Sequence, residues 1–185
     1  MKTLVLVFHP DLAASRLNRR WAEEISKQET VTVRRMYEIY PNEQIDVAAE
    51  QALLEQHDRI VLQFPFYWYS TPPLLKKWQD AVLTHGWAHG STGNKLHGKE
   101  LMLAISVGAP GEAYTPEGAF GYTLDELLKP LQATSNLIGT RFLAPYAVYG
   151  ASRIAEERIQ ETAVAYVARV LNSELSLNHA AGEVR

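Results

Sequence analysis

At 185 residues the chain is long enough for one substantial core and short for two. With 46% hydrophobic and 21% charged residues it reads as globular, and the absence of cysteine excludes disulfides, thiolate nucleophiles, cysteine-held zinc and iron–sulfur clusters, so any redox chemistry must come from a bound organic cofactor. A net charge of −3 gives no field suited to nucleic acid or to an anionic membrane, which points to a small molecule or another protein as partner.

In chain order, the apolar run Leu4–Phe8 reads as a first strand. It is too short for a signal-peptide core or a membrane span, so a cytoplasmic address is the expectation. Ser15 caps a helix whose Leu17, Trp21 and Ile25 share one face. Val31–Met36 is a second strand, and Ile45 to Gln56 a second helix with Val47, Leu53 and Leu54 turned inward. Arg59–Phe64 makes a third strand. Pro65 stops it, and Pro72-Pro73 reopens a helix through Leu74, Leu75, Trp78 and Val82. Glu100–Val107 is a fourth strand, followed by a Gly- and Pro-rich loop, a helix over Leu124–Leu137, a fifth strand over Phe142–Tyr149 and a long amphipathic helix over Arg153–Leu171. Residues 1–175 thus form one domain, and the polar tail Ser176–Arg185 is expected to fray.

Strands alternating with helices describe a doubly wound parallel sheet with helices on both faces, whose ligand crevice lies outside the carboxyl ends of the strands. Three loops meet there: His9–Asn18, Pro65–Thr71 and Ser106–Tyr114. The first lacks both the glycine-rich dinucleotide fingerprint and the Walker lysine. It carries His9, Ser15, Arg16 and Asn18 beside a helix N-terminus, where free N–H groups favour a phosphate; alternatively Ser15 only caps the helix and Asn18 is solvated. The second offers Phe66, Tyr67, Trp68 and Tyr69 in succession, a surface for a planar ring, although alternation alone sends about half of them into the core. In the third, Ser106, Val107, Gly108 and Ala109 are small enough for backbone donors to approach the polar edge of a flavin, and the same residues read equally as a turn. His85, His89 and His97 lie among glycines without a nearby carboxylate, so no metal site is expected, and no nucleophile elbow is present.

Phe8-His9-Pro10, Ser15-x-x-Asn18, the block from Gln63 through Pro65-Phe66-Tyr67-Trp68-Tyr69-Ser70-Thr71-Pro72-Pro73 to Lys76, and His85-Gly86-Trp87-Ala88 together resemble the flavodoxin-like NAD(P)H:quinone oxidoreductases, from Lys2 to about Leu171. The chain looks closest to the small bacterial branch, which includes the ancillary subunits of glutathione-gated potassium efflux systems; those share Tyr40-Pro41, Ile45-Asp46 and Pro72 to Lys76. The resemblance implies a five-stranded sheet of order 2-1-3-4-5 and FMN rather than FAD as cofactor, with NADPH or NADH as donor. It implies that His9, Ser15, Arg16, Leu17 and Asn18 surround the phosphate and ribityl chain, that Pro65, Phe66, Tyr67, Trp68 and Tyr69 pack along the ring, and that Ser106, Val107 and Gly108 bond its polar edge. Tyr114 matches a tyrosine at the hydride-transfer site, is assigned to the cofactor as well and, with Trp68, is the catalytic candidate. The larger enzymes place a histidine where this chain has Phe120, so Phe120 and Tyr69 are assigned to substrate and the proton source passes to Tyr114 or water.

The expected activity is two-electron, ping-pong transfer from NAD(P)H to a quinone-like acceptor, by a homodimer with flavin sites at its interface. A regulatory subunit bound to a potassium efflux antiporter, peripheral at the inner membrane face, is the alternative. A one-electron carrier is a third reading, set back by the modest charge of −3.

Overall fold

A computed structural model describes residues 1–175; the tail 176–185 lies outside the described residues. Its centre is a parallel sheet. Strand β1 (Thr3–Val7) pairs with β2 (Val31–Arg35) on one side and β3 (Arg59–Pro65) on the other, and β3 pairs with β4 (Glu100–Ser106). The far position is filled by β5 (Arg141–Phe142) and β6 (Tyr146–Val148), both parallel to β4, giving the order β2-β1-β3-β4-β5 with β6 also on β4.

The expected fifth strand is therefore two short ones. Phe142 faces Leu101 and Tyr146 faces Ala104, so four steps on the edge match three on β4: one extra residue bulges out beside Pro145, which has no N–H to give the ladder. A second difference has a similar cause. The helix expected over 124–137 is α5 (Leu124–Leu127) and α6 (Lys129–Leu137), broken at Leu128 because Pro130 cannot continue the preceding turn and instead opens the next. Met36, expected to end β2, opens a short helix α2 (Met36–Ile39).

Side-chain alternation along the strands builds two cores. From β1, Leu4 and Leu6 join the core under α3 (Val47–Gln56), α4 (Pro73–Val82), α5 and α6, through Leu54, Leu74, Leu75, Trp78, Leu124 and Leu131. Val5 and Val7 join the opposite core under α1 (Arg16–Ile25) and α7 (Glu156–Leu171). There Trp21 is fully buried, stacks on Tyr166 at 5.3 Å and donates its indole N–H to Thr162 Oγ1 (3.1 Å), tying the first helix to the last. Arg59, also fully buried, pairs with Glu100 (2.6 Å) and donates to the Val170 and Asn172 carbonyls, which closes the end of α7 onto the sheet.

On α3, Leu54 is buried as expected, while Val47 and Leu53 are half-buried. The fully buried member of that helix is Glu50, which accepts from Arg34 (2.6 Å), Tyr40 OH (2.7 Å) and Trp78 Nε1 (3.0 Å). Burial, then the Glu50 carboxylate, push the Tyr40 phenol up to about 12.

Candidate active site

The carboxyl ends of β1, β3 and β4 stand side by side, with Val7 opposite Gln63 and Pro65 opposite Ser106, so the three expected loops do meet at one edge. At the first, Ser15 caps α1 by accepting from Asn18 N–H (3.1 Å), which leaves Arg16 and Leu17 N–H at the helix tip without a partner among the described residues. His9 is half-buried, and its Nδ1 accepts from Asp11 N–H (3.2 Å), so the neutral ring carries its hydrogen on Nε2. Burial holds the His9 pKa below the usual histidine value, with Asp11 opposing.

Three residues of this group have side chains engaged within the fold. The Arg16 guanidinium donates to Ile154 O (3.1 Å) and Glu156 (2.7 Å), so the side chain is committed to the start of α7. Leu17 is a core side chain, leaving only its backbone at the helix tip. Asn18 is 1% exposed rather than solvated, and bonds Ser106 and Gln63.

The aromatic loop is a tight turn. Tyr67 N–H donates to Ser70 O (3.1 Å) and Ser70 N–H to Tyr67 O (2.9 Å), with φ of 47° at Trp68 and 62° at Tyr69. Bulky residues rarely adopt that left-handed backbone, which Asn-Gly turns occupy without strain. The strained pair is also exposed: Trp68 to 91% and Tyr69 to 42%. Phe66 is half-buried and Pro65 buried at the strand end.

In the third loop Val107 is a core side chain and its N–H donates to Val148 O (2.8 Å), so it offers nothing to a ligand. The available donors sit one step further on, at Gly108 and Ala109 N–H, which bond nothing among the described residues, and a Cβ at Gly108 would meet no atom within 4 Å. Ser106 is 7% exposed, and its Oγ accepts from Asn18 Nδ2 (2.7 Å). Tyr114 is nearly buried against Phe120 (4.9 Å), Phe66 (6.1 Å) and Tyr149 (5.8 Å), and Tyr69 closes on Phe120 at 5.4 Å. Burial, followed by the neighbouring Tyr69 and Tyr149, raises the Tyr114 pKa, so the phenol keeps its proton at neutral pH.

Sequence reasoning missed Tyr149, assigned to a strand end, and Tyr37, whose hydroxyl accepts Leu74 N–H (3.3 Å) at the mouth of α4. It also gave no role to Gln63, a polar residue within the apolar run that follows Arg59 in β3, whose position was itself the available signal. His85 and His89 meet edge to face at 5.5 Å, and no group of three His, Cys, Asp or Glu able to hold a metal occurs among the described residues.

The edge thus combines a helix tip with open donors, a raised aromatic turn and a second pair of open backbone donors, a donor set that fits a phosphate joined to a planar, acceptor-rich ring. Comparison with known proteins places the whole chain among similar folds and sequences. The chain is 60% identical over 163 residues to General stress protein 14 of Bacillus subtilis, covering 88% of this chain and 93% of that one. It is 49% identical to the uncharacterized NAD(P)H oxidoreductase YdeQ of B. subtilis (95% and 89% covered), and 41% identical to the glutathione-regulated potassium-efflux system ancillary protein KefF of Klebsiella aerogenes (91% and 94%). Among solved structures, a chain from a thermophilic tryptophan halogenase crystal structure from Streptomycin violaceusniger matches with TM-score 0.90 and 52% identity, covering 92% of this chain and 99% of that one. A general stress protein 14 from Treponema denticola, solved in complex with FMN, matches with TM-score 0.88 and 39% identity (92% and 98%), and an NADPH-quinone reductase from P. pentosaceus with 0.85 and 36% (93% and 99%). The Flavodoxin_2 model, described as a flavodoxin-like fold, matches residues 1–170, and the chain belongs to that family, alongside proteins named as NAD(P)H oxidoreductases and quinone reductases.

Proposed function

We propose that this protein is an FMN-dependent NAD(P)H:quinone oxidoreductase. The observation that carries the reading is the pairing of open donors, at the tip of α1 and at Gly108 and Ala109, with the exposed turn Tyr67–Ser70 between them along one sheet edge. FMN, when bound, supplies the atom that takes hydride from the nicotinamide and passes it to the acceptor. In this reading the backbone N–H groups of Arg16 and Leu17, the Ser15 region and His9 Nε2–H hold the phosphate, and Asn18 and Ser106 stand at the ring's approach. Pro65 and Phe66 support the turn from below while Tyr67, Trp68 and Tyr69 border the slot.

Trp68 offers its face to the ring that stacks in the slot, and Phe120 with Tyr69 forms the apolar wall. Tyr114, kept neutral by burial, holds a proton at its hydroxyl for the acceptor oxygen. A single slot serves donor and acceptor in turn, so double-reciprocal plots should be parallel. With NADH or NADPH as donor, a cytoplasmic address is part of the same proposal. No helix among the described residues is long and apolar enough to cross a membrane.

The test is the visible spectrum of the purified protein, then NADPH with and without menadione. Yellow protein that bleaches with NADPH and recovers with menadione is the expected result. Colourless protein that takes up neither FMN nor FAD removes the reading. The likeness to KefF favours a second one, in which the protein is a regulatory subunit on a potassium efflux antiporter; gated efflux that persists after flavin loss would put it first.

A further inference from the structure

Four buried polar side chains run in file from α7 to the end of β4. Tyr166 O–H donates to Gln63 Oε1 (3.1 Å), Gln63 Nε2 donates to the Asn18 carbonyl (2.8 Å) and to Asn18 Oδ1 (3.3 Å), and Asn18 Nδ2 donates to Ser106 Oγ (2.7 Å). Tyr166 and Gln63 are 0% exposed, Asn18 1% and Ser106 7%. One atom sets the direction of the whole file. The Asn18 carbonyl only accepts, so the Gln63 atom facing it is the amide nitrogen. The Gln63 oxygen therefore faces Tyr166, whose hydroxyl has to donate; Asn18 in turn presents Oδ1 to Gln63 and Nδ2 to Ser106. The last member receives a hydrogen bond, and its own hydrogen finds no acceptor among the described residues.

We propose that Gln63 and Tyr166 are positioning residues that polarise this file so that the Ser106 hydroxyl is a donor aimed at an acceptor atom on the polar edge of the flavin, favouring the reduced form of the cofactor. The proposal rests on the FMN reading above. Reduction places negative charge on that edge, so a donor there binds reduced flavin better than oxidised, and a hydroxyl that is itself receiving a hydrogen bond donates more strongly. A file of opposite polarity would offer the same edge a lone pair.

The readout is the ratio of dissociation constants for oxidised and reduced FMN, taken from fluorescence titration of the oxidised form and the midpoint potential of the complex. Ser106→Ala is expected to move that ratio about tenfold against reduced flavin, the range of one hydrogen bond to a charged group. The paired variant Gln63→Met/Tyr166→Phe replaces both upstream partners by apolar groups of similar shape and frees the Asn18 amide to turn. It should move the ratio the same way, and add nothing on the Ser106→Ala background. Equal weakening of both redox forms, or a full additional shift on that background, overturns the proposal and leaves a structural role. If the paired variant does not fold, Tyr166→Phe alone should shift the ratio about twofold to threefold the same way, and an unchanged ratio overturns it. Wild-type protein that binds neither FMN nor FAD marks failure of the site assignment instead, and takes the proposal with it.

Discussion

Trp68 and Tyr69 hold a backbone that suits Asn-Gly, and such positions persist where the side chains are needed for something other than stability. Trp68→Asn/Tyr69→Gly should therefore raise unfolding free energy by about 1–3 kcal/mol in urea titration while lowering FMN affinity and quinone turnover; a loss of stability would show that the turn is not strained. Tyr114→Phe keeps the aromatic packing and removes the proton, so turnover should fall about a hundredfold with FMN affinity unchanged. His9 adds a pH dependence. Its folded pKa lies below the unfolded value, so the unfolded chain binds more protons, and the stability it contributes is complete above about pH 6.5 and is lost as pH falls through the folded value. The difference in melting temperature between wild type and His9→Asn should accordingly be constant above about pH 6.5 and change in the direction of a less stable wild type as pH falls below it. The identity of these residues was legible because each stands in a loop just past a strand. Which atoms they offer was not: that Val107 N–H is tied to Val148 and Arg16 to Glu156 depends on partners more than forty residues away in sequence.

Elements read from periodicity survived where one pattern ran uninterrupted. Helix α1, with Ser15 as cap and Leu17, Trp21 and Ile25 buried, begins where the sequence says it should. Two of the departures sit at prolines, since Pro130 and Pro145 each remove an N–H from a run whose apolar pattern continues past them. Helix α3 hides the larger surprise. Only Val47, Leu53 and Leu54 stand out as inward-facing in its sequence, yet Glu50 is the buried hub joining β2, α3 and α4 through Arg34, Tyr40 and Trp78. Because α4 opens directly from the aromatic turn, this hub fixes the turn's downstream end. Glu50→Ala would leave Arg34 half-buried and unpaired, at a cost of about 3–5 kcal/mol. Chemical denaturation measures that loss, and a cost under about 1 kcal/mol would assign the hub to solvent instead.

At the scale of the molecule, the sheet sends its two faces into separate cores and brings three strand ends to one edge, where the raised turn stands beyond the packed layers. A tryptophan exposed to 91% beside Tyr67 at 41% and Tyr69 at 42% is an apolar patch that soluble monomers rarely leave open. In the proposed function, FMN and a stacked substrate would cover the side of the turn that faces the slot. A second copy of the chain, expected from the family resemblance, would cover the outer side and set each slot beside the partner's surface. Sedimentation should then report twice 20.8 kDa at micromolar concentration. Trp68→Arg, which sets a charge in the patch, should yield the single mass together with weakened FMN binding, since the same loop serves both contacts. Wild type sedimenting at 20.8 kDa with full quinone turnover would remove the second copy from this reading. The strained turn would then answer to the cofactor and substrate alone, and Trp68→Arg should affect turnover without any change of mass.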